Sequence, residues 1–308
     1  MNILLGSCGG LTGIYLAKQY KNKHYVAGFD KNENNAGKYF LNNFFTVPGV
    51  NEKHFIDSII EIINKLKIDV YIPLHSHEIA IVSEYKEELE KYLTGKILIC
   101  DTKIITLFDN KFNIYKEINK IGLKCPRIIE NETMIDKYPL LLKPIISSGS
   151  RGIIKIKDIK EYNFFSSYPN HFICDYYDLD EYTVDCFFSN THVLIGYYIR
   201  KRIKNIGGAV IITEAAMEID ISKELKLIED NYSLTGPVNF QFFYHNGEII
   251  FFDFNLRFAS GGIPLSVHAG LNIPELLLNE SVGIPYSKNI QINLSKITMY
   301  RYFEELFN

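Results

Sequence analysis

A lysine that ends an apolar strand and runs straight into a serine- and glycine-rich loop is suited to holding phosphate. Pro139–Lys143 is such a strand, followed by Pro144 and then Ser147-Ser148-Gly149-Ser150-Arg151-Gly152. Backbone N–H groups in a loop of this kind can approach phosphate oxygens closely, and the lysine adds a point charge. An exposed hairpin tip would carry the same residues, and no GK[ST] ends the loop, so the pattern is not a Walker motif. A second group lies about a hundred residues on. Gln241 falls in one apolar run, after Asn239, while Asp253, Asn255 and Arg257 alternate along the next. Alternation places those three on one face of a strand and Phe252, Phe254, Leu256 and Phe258 on the other. A carboxylate and amides on one face make an oxygen-donor set for Mg²⁺, and the guanidinium suits developing negative charge. Polar groups on the solvent face of a strand would look alike, but Ala259-Ser260-Gly261-Gly262 follows, and such a loop lets backbone approach a ligand closely.

Three further clusters are weaker. Asp175-Tyr176-Tyr177-Asp178-Leu179-Asp180-Glu181 is a dense acidic turn that could accept hydrogen bonds from a ribose or an exocyclic amine, or simply be solvated. Arg200, Arg202 and Lys204 lead into Gly207-Gly208. Near the N-terminus, Gly10 and Gly13 fit the last two glycines of a dinucleotide fingerprint, with Asp30 closing the next strand, but Cys8 stands where the first glycine belongs.

The elements that must position these groups change in texture along the chain. Asn2–Leu5, the helical pattern of Leu11–Tyr20 and Tyr25–Phe29 read as strand, helix and strand, a parallel βαβ opening. Phe55–Leu66 predicts a helix, Val70–Leu74 a strand ending in the polar His75–Glu78, Glu84–Tyr92 a charged helix and Lys96–Cys100 a further strand. Lys111–Ile121 predicts a helix stopped by Gly122. Beyond it the chain is rich in strands: Leu140–Lys143, Gly152–Ile156, Phe172–Asp175, Tyr182–Phe188, Val193–Ile199, Val238–Tyr244 and Glu248–Phe254. Hairpin signals at Ser189–Asn190 and His245–Gly247 separate some of them, and Glu224–Tyr232 and Ile273–Asn279 are helical.

Composition bounds the partners. The 308 residues are 47% hydrophobic and 22% charged, which excludes wholesale disorder. With 33 Lys and Arg against 36 Asp and Glu the net charge is −3, which argues against nucleic acid while leaving room for a local phosphate site. Five cysteines and no CxxC argue against a disulfide framework or zinc site, and no apolar run approaches the roughly 18–20 residues that span a bilayer. The expectation is a cytoplasmic protein that binds neither nucleic acid nor membrane.

Taken together and in this order, the residues resemble the ATP-grasp superfamily over nearly the whole chain. The likeness is to its carbamoyl-phosphate-synthetase large-subunit and biotin-carboxylase-like branch, in a short single-module form. The resemblance implies a Rossmann-like parallel α/β domain at 1–105 and an ATP-grasp domain at 106–308. The latter would divide into a lid subdomain, 112–174, and an antiparallel-sheet subdomain, 175–308, so that an α/β unit precedes an α+β one. It implies that Lys111 contacts ATP phosphates, with Asn110 standing where aspartate is usual, and that Lys143 lies by the adenine and α-phosphate. Ser147, Ser148, Gly149, Ser150 and Gly152 would form the lid loop over the phosphates. Asp175 stands where glutamate is usual at the adenine hinge, read through the backbone of Asp175 and Tyr177, and Glu181 matches a ribose-binding glutamate. Gln241, Asp253 and Asn255 match metal ligands, with aspartate in place of glutamate at the second. Arg257 and Arg200 are the implied catalytic groups: Arg257 steadies the transferred phosphoryl group or acyl phosphate, and Arg200 lies near phosphates or a substrate carboxylate.

The implied cofactors are ATP and Mg²⁺ (or Mn²⁺), and the implied activity is carboxylate–amine ligation of small metabolites. A carboxylate attacks the γ-phosphorus to give ADP and an acyl phosphate, and an amine then displaces phosphate to form an amide. Bicarbonate ranks below a carboxylate as acceptor. Homodimers are common among relatives, and a homodimer is compatible with this sequence. Two readings from other classes stand beside it. One is an NAD(P)-dependent oxidoreductase built on Gly10 and Gly13. The other is a non-catalytic ATP-binding homologue, motivated by Asn110, Asp175 and Asp253.

Overall fold

The computed structural model describes residues 1–147, 151–287 and 289–307. Their strands form three sheets. The first is parallel, ordered β3-β2-β1-β4, with β1 at Asn2–Leu5, β2 at Tyr25–Asp30, β3 at Asn43–Thr46 and β4 at Val70–Ile72. Its strands read as continuous apolar runs because both faces are covered. Leu4, Ala27 and Tyr71 pack with Ile59 and Ile63 of helix α2 (Phe55–Leu66). Ile3, Leu5, Val26 and Ile72 pack with Leu16, Ala17 and Tyr20 of α1 (Leu11–Tyr20). Between β1 and α1 the chain turns so tightly that a Cβ on Gly13 would lie 2.3 Å from the carbonyl oxygen of Cys8.

Two expectations for this region change. The charged segment 84–92 is not one helix: α3 spans Ser76–Glu84, the chain bends at Tyr85, and α4 (Lys86–Leu89) leads into a 3₁₀ turn at Glu90–Tyr92. Lys96–Cys100 is not a strand, although Ile97–Cys100 are buried. Its backbone N–H groups leave the ladder direction, Lys96 donating to the Ser281 carbonyl (2.7 Å) and Ile97 to the Glu90 carboxylate (2.8 Å). Helix α5 (Thr102–Asp109), which the sequence reading passed over, follows and is capped by the Asp101 side chain.

Helix α6 (Lys111–Lys120) leads to the small antiparallel sheet β6-β5-β7, with β5 at Leu140–Pro144, β6 at Ile154–Ile156 and β7 at His171–Asp175. Leu140, Leu142, Ile156 and Ile173 form its own apolar cluster with Tyr162 of α7 (Ile159–Phe165). The third sheet is antiparallel and ordered β12-β11-β8-β9-β10-β13. Its strands are β8 (Glu181–Phe188), β9 (Leu194–Ile206), β10 (Ala209–Ala215), β11 (Gly236–His245), β12 (Glu248–Asn255) and β13 (Thr298–Tyr300). Strand β9 runs seven residues beyond its expected end at Ile199 and pairs with β10, which the sequence reading did not include. Helices α8 (Ser222–Asn231), α9 (Ile263–His268) and α10 (Ile273–Ser281) complete the chain.

The large sheet and the parallel sheet are tied at several points that frame one cleft. Tyr20 Oη donates to the Pro274 carbonyl (2.8 Å), Thr12 Oγ1 to the Ala259 carbonyl (3.4 Å) and Arg257 Nε to Ser76 Oγ (2.8 Å). Among the described residues no helix is long and apolar enough to cross a membrane.

Candidate active site

Antiparallel register places the four polar side chains of β11 and β12 in two facing pairs: Asn239 opposite Asn255 and Gln241 opposite Asp253. Asn255 Nδ2 donates to Asp253 Oδ2 (2.9 Å) and to Asn239 Oδ1 (3.3 Å), and its Oδ1 accepts from Arg257 Nη2 (3.3 Å). Just past Gln241 the pairing slips by one residue, leaving Phe252 as the extra residue of a β-bulge. The Phe252 carbonyl, turned off the ladder, accepts from Lys143 Nζ (3.0 Å) and from Tyr115 Oη (2.8 Å). Lys143 Nζ also donates to Tyr115 Oη (2.7 Å). The bulge thus supplies the acceptor that holds the strand-end lysine in place.

Lys111 stands at the first position of α6 and forms an ion pair with Asp253. Asn110, where the family's aspartate is usual, caps that helix: its side chain accepts from the Asn113 N–H at 2.9 Å. Asparagine and aspartate serve this purpose about equally well, so the exchange leaves the lysine's placement intact.

Electrostatics separate these groups. Burial alone would raise the Asp253 carboxyl, but the charges of Lys111 and Lys143, with hydrogen bonds from Lys111 and Asn255, hold it at about 2. Burial lowers the Lys143 ammonium, which is 5% exposed. Burial likewise lowers Arg257, offset by Asp253 and Asp109. Among the described residues Arg257 donates to no carboxylate: its hydrogen bonds go to Ser76 Oγ, the Phe258 carbonyl (2.9 Å) and Asn255 Oδ1. Its charge, like that of Lys143, forms no ion pair among the described residues.

Two cavities meet at these residues. The smaller, about 50 Å³, is walled by Lys111, Lys143, Ser147, Ile153 and Phe252; the larger, about 240 Å³, by Arg200, Arg202, Asn255, Arg257 and the first turn of α1. Gln241 and Asp253 line both. Of the expected site residues, Lys111, Lys143, Ser147, Gln241, Asp253, Asn255, Arg257 and Arg200 therefore come together. Asp175, Tyr177, Glu181 and Gly152 do not line either cavity. Asp175 Oδ1 instead accepts from Arg127 Nη2 (3.3 Å), Tyr177 stacks on Phe243 (ring centroids 5.5 Å apart) and Glu181 accepts from Arg202 Nε (3.1 Å). Ser148, Gly149 and Ser150 lie outside the described residues.

Arg200 differs from the expectation of an open catalytic cation. It is fully buried and bound side-on by Asp185, Nε to Oδ2 at 2.8 Å and Nη2 to Oδ1 at 3.2 Å, with Ser266 Oγ adding a hydrogen bond to the same carboxylate (2.5 Å). Gly262 lies so close that a Cβ there would sit 2.0 Å from Arg200 Cζ, so the glycine loop makes room for the guanidinium. Tyr115, Asp185 and Ser266 were missed by sequence reasoning, whereas Ser76 lies in the polar His75–Glu78 strand end that it singled out. The signal for Asp185 was a lone acid inside the apolar run Tyr182–Phe188.

Residues 167–304 match the family described as ATP-grasp in the biosynthetic pathway with Ter operon, and residues 3–99 match the PylC-like N-terminal domain. The chain has the ATP-grasp fold. Similar solved structures include N5-carboxyaminoimidazole synthetase from Staphylococcus aureus complexed with ADP (16% identity, 98% of this chain and 82% of that one, TM-score 0.75). A biotin carboxylase–ATP complex from Campylobacter jejuni is another (14%, 94% and 73%, TM-score 0.70). A third is the biotin carboxylase domain dimer of 2-oxoglutarate carboxylase from Hydrogenobacter thermophilus, in complex with MgADP and bicarbonate (12%, 94% and 72%, TM-score 0.71). No curated protein matches the sequence. Asp30, the acid of the dinucleotide-like pattern, accepts from the Gly9 and Asn32 N–H groups, both at 3.0 Å.

Proposed function

We propose that this chain is an ATP-dependent carboxylate–amine ligase that joins small metabolites through an acyl phosphate. The observation that carries the reading is the shared wall: Gln241 and Asp253 line both cavities. On one side stand Lys111, Lys143 and the described start of the Ser147–Gly152 loop, which suit a triphosphate. On the other stands Arg257, whose uncompensated charge suits an acceptor carboxylate. Phosphoryl transfer needs donor and acceptor on opposite sides of a metal-binding partition, in line with each other.

The carboxylate of Asp253 and the amide oxygens of Gln241 and Asn255 fit a hard divalent cation, and Asp253 is held ionised for it. When bound, Mg²⁺ neutralises phosphate charge that would otherwise repel the acceptor. Lys143, fixed by Tyr115 and the Phe252 carbonyl, orients the nucleotide phosphates, and Lys111 exchanges Asp253 for them. Arg257, fixed by Ser76, holds the acceptor carboxylate and then the acyl phosphate until an amine displaces phosphate. The ribose role of Glu181, the hinge roles of Asp175 and Tyr177, the lid role of the loop at 147–152 and the domain division after residue 105 belong to the same proposal. A pooled carboxylate and amine screen for ADP release, resolved by mass spectrometry, tests it. A phosphate-releasing pair yielding a new amide is the expected result. ADP release driven by bicarbonate alone, with no amide, would overturn it.

A further inference from the structure

The first turn of α1 opens into the 240 Å³ cavity: Gly10, Leu11, Thr12 and Gly13 are all in its wall. This ten-residue helix has glycine at its N-cap, no side-chain cap and no acidic residue in its first turn. Its leading N–H groups therefore carry positive character that no side chain of the helix itself offsets, the Asp30 carboxylate bonding one residue earlier, at Gly9. Arg200, in the same wall, supplies an independent observation. Asp185 engages Nε and Nη2, and the remaining nitrogen, Nη1, is buried without any hydrogen-bond partner. A buried donor left unpaired costs about 1–3 kcal/mol, more when charged, so an acceptor reaching it is favoured. Arg257, by contrast, lies beside Asp253 and Asn255, at the metal-binding partition.

We propose that the first turn of α1 and Nη1 of Arg200 form an anion subsite that anchors the acceptor by an anionic group other than the one that reacts. The acceptor is then a small molecule with two anionic groups, one at Arg257 and one, a carboxylate or a phosphate, at α1. This rests on the ligase reading for what the anchored molecule does, but the subsite itself does not require nucleotide.

Gly10 is the handle for a test, because a side chain there meets nothing within 4 Å. Gly10→Asp sets a tethered carboxylate at the mouth of the subsite, in an N-cap position that favours aspartate, and Gly10→Asn has the same shape without the charge. The full chain and both variants are titrated calorimetrically, without nucleotide, with inorganic phosphate and separately with succinate. The unmodified chain and Gly10→Asn should bind at least one of the two, and Gly10→Asp should bind it at least tenfold more weakly with no loss of Tm. Whichever anion binds identifies the second group as phosphate or carboxylate. Failure of the unmodified chain to bind either, or equal affinity in Gly10→Asp, overturns the subsite. MgATP binding to the unmodified chain is measured in parallel: its absence, with anion binding intact, refutes the ligase reading and leaves the subsite standing.

Discussion

Replacing Asp253 with asparagine removes one charge and changes almost no volume, so its effect can be worked from the two lysines beside it. The carboxyl is held at about 2 against its ordinary 3.8, because the charges of Lys111 and Lys143 outweigh the cost of burial. Each pKa unit is worth 1.36 kcal/mol, so the ionised form contributes about 2 kcal/mol to stability near neutral pH. That contribution is fully present above the unfolded value and is lost as pH falls through about 2. Asp253→Asn should therefore be about 2 kcal/mol less stable than the parent at pH 7, and the gap should close between pH 4 and pH 2. Urea denaturation across that range measures it. The second consequence is catalytic: losing the only carboxylate among the three proposed metal ligands should lower ADP release by about a thousandfold or more, the several kcal/mol a metal site supplies. A variant that releases ADP within tenfold of the parent would refute the site assignment. A stability gap that persists undiminished at pH 2 would refute the electrostatic account instead.

Other substitutions probe the supports. Tyr115→Phe deletes a hydroxyl that Lys143 donates to, and should raise the KM for ATP by about fivefold, the worth of about 1 kcal/mol, while kcat changes less. Because burial lowers the Lys143 ammonium, the KM for ATP should rise with alkaline pH earlier than an ordinary lysine would dictate, and initial-rate profiles from pH 7 to 10 read this directly. Ser76→Ala frees Arg257 Nε and should cost about tenfold or more in kcat/KM at unchanged Tm, with Ser76→Thr restoring most of it. Asp185→Asn breaks a fully buried ion pair and should cost about 3–5 kcal/mol in urea unfolding, more than any other change named here.

What the sequence made legible is what depends on local spacing. Alternation of Asp253 and Asn255 is a local property of one strand, so their shared polar face could be read without knowing the partner strand. The Lys143 strand end and the loop after it are local in the same way. What escaped is what long-range pairing decides. Asp185, Arg200 and Ser266 are 15 and 81 residues apart along the chain, and nothing within five residues of any of them announces a shared hydrogen bond. Lys96–Cys100 has the apolar pattern of a strand, yet its N–H groups go to Ser281 and Glu90, so a ladder never forms. Strand β10 was hidden because its pairing with β9 is irregular, with register shifts around Ile212.

The charges in the cleft are arranged so that most cancel before any ligand arrives. Lys111 is matched by Asp253, Arg200 by Asp185 and Arg202 by Glu181. Three features are left outside these pairs: the ammonium of Lys143, the guanidinium of Arg257 and the one edge of Arg200 that Asp185 does not reach. A chain with a net charge of −3 thus needs no general excess of basic residues to favour anions at chosen places. Pairing also fixes geometry, because a guanidinium bound side-on to a carboxylate cannot rotate, so the direction of its free nitrogen is set by the fold. If that direction is what selects the acceptor, exchanging Arg200 for lysine must lose selectivity even where the chain still folds. A lysine keeps the charge at Asp185 but has no second edge to present. The observable is the ratio of ADP release with dianionic to that with monoanionic acceptors: it should collapse towards one in Arg200→Lys, and a ratio equal to the parent's would refute the argument.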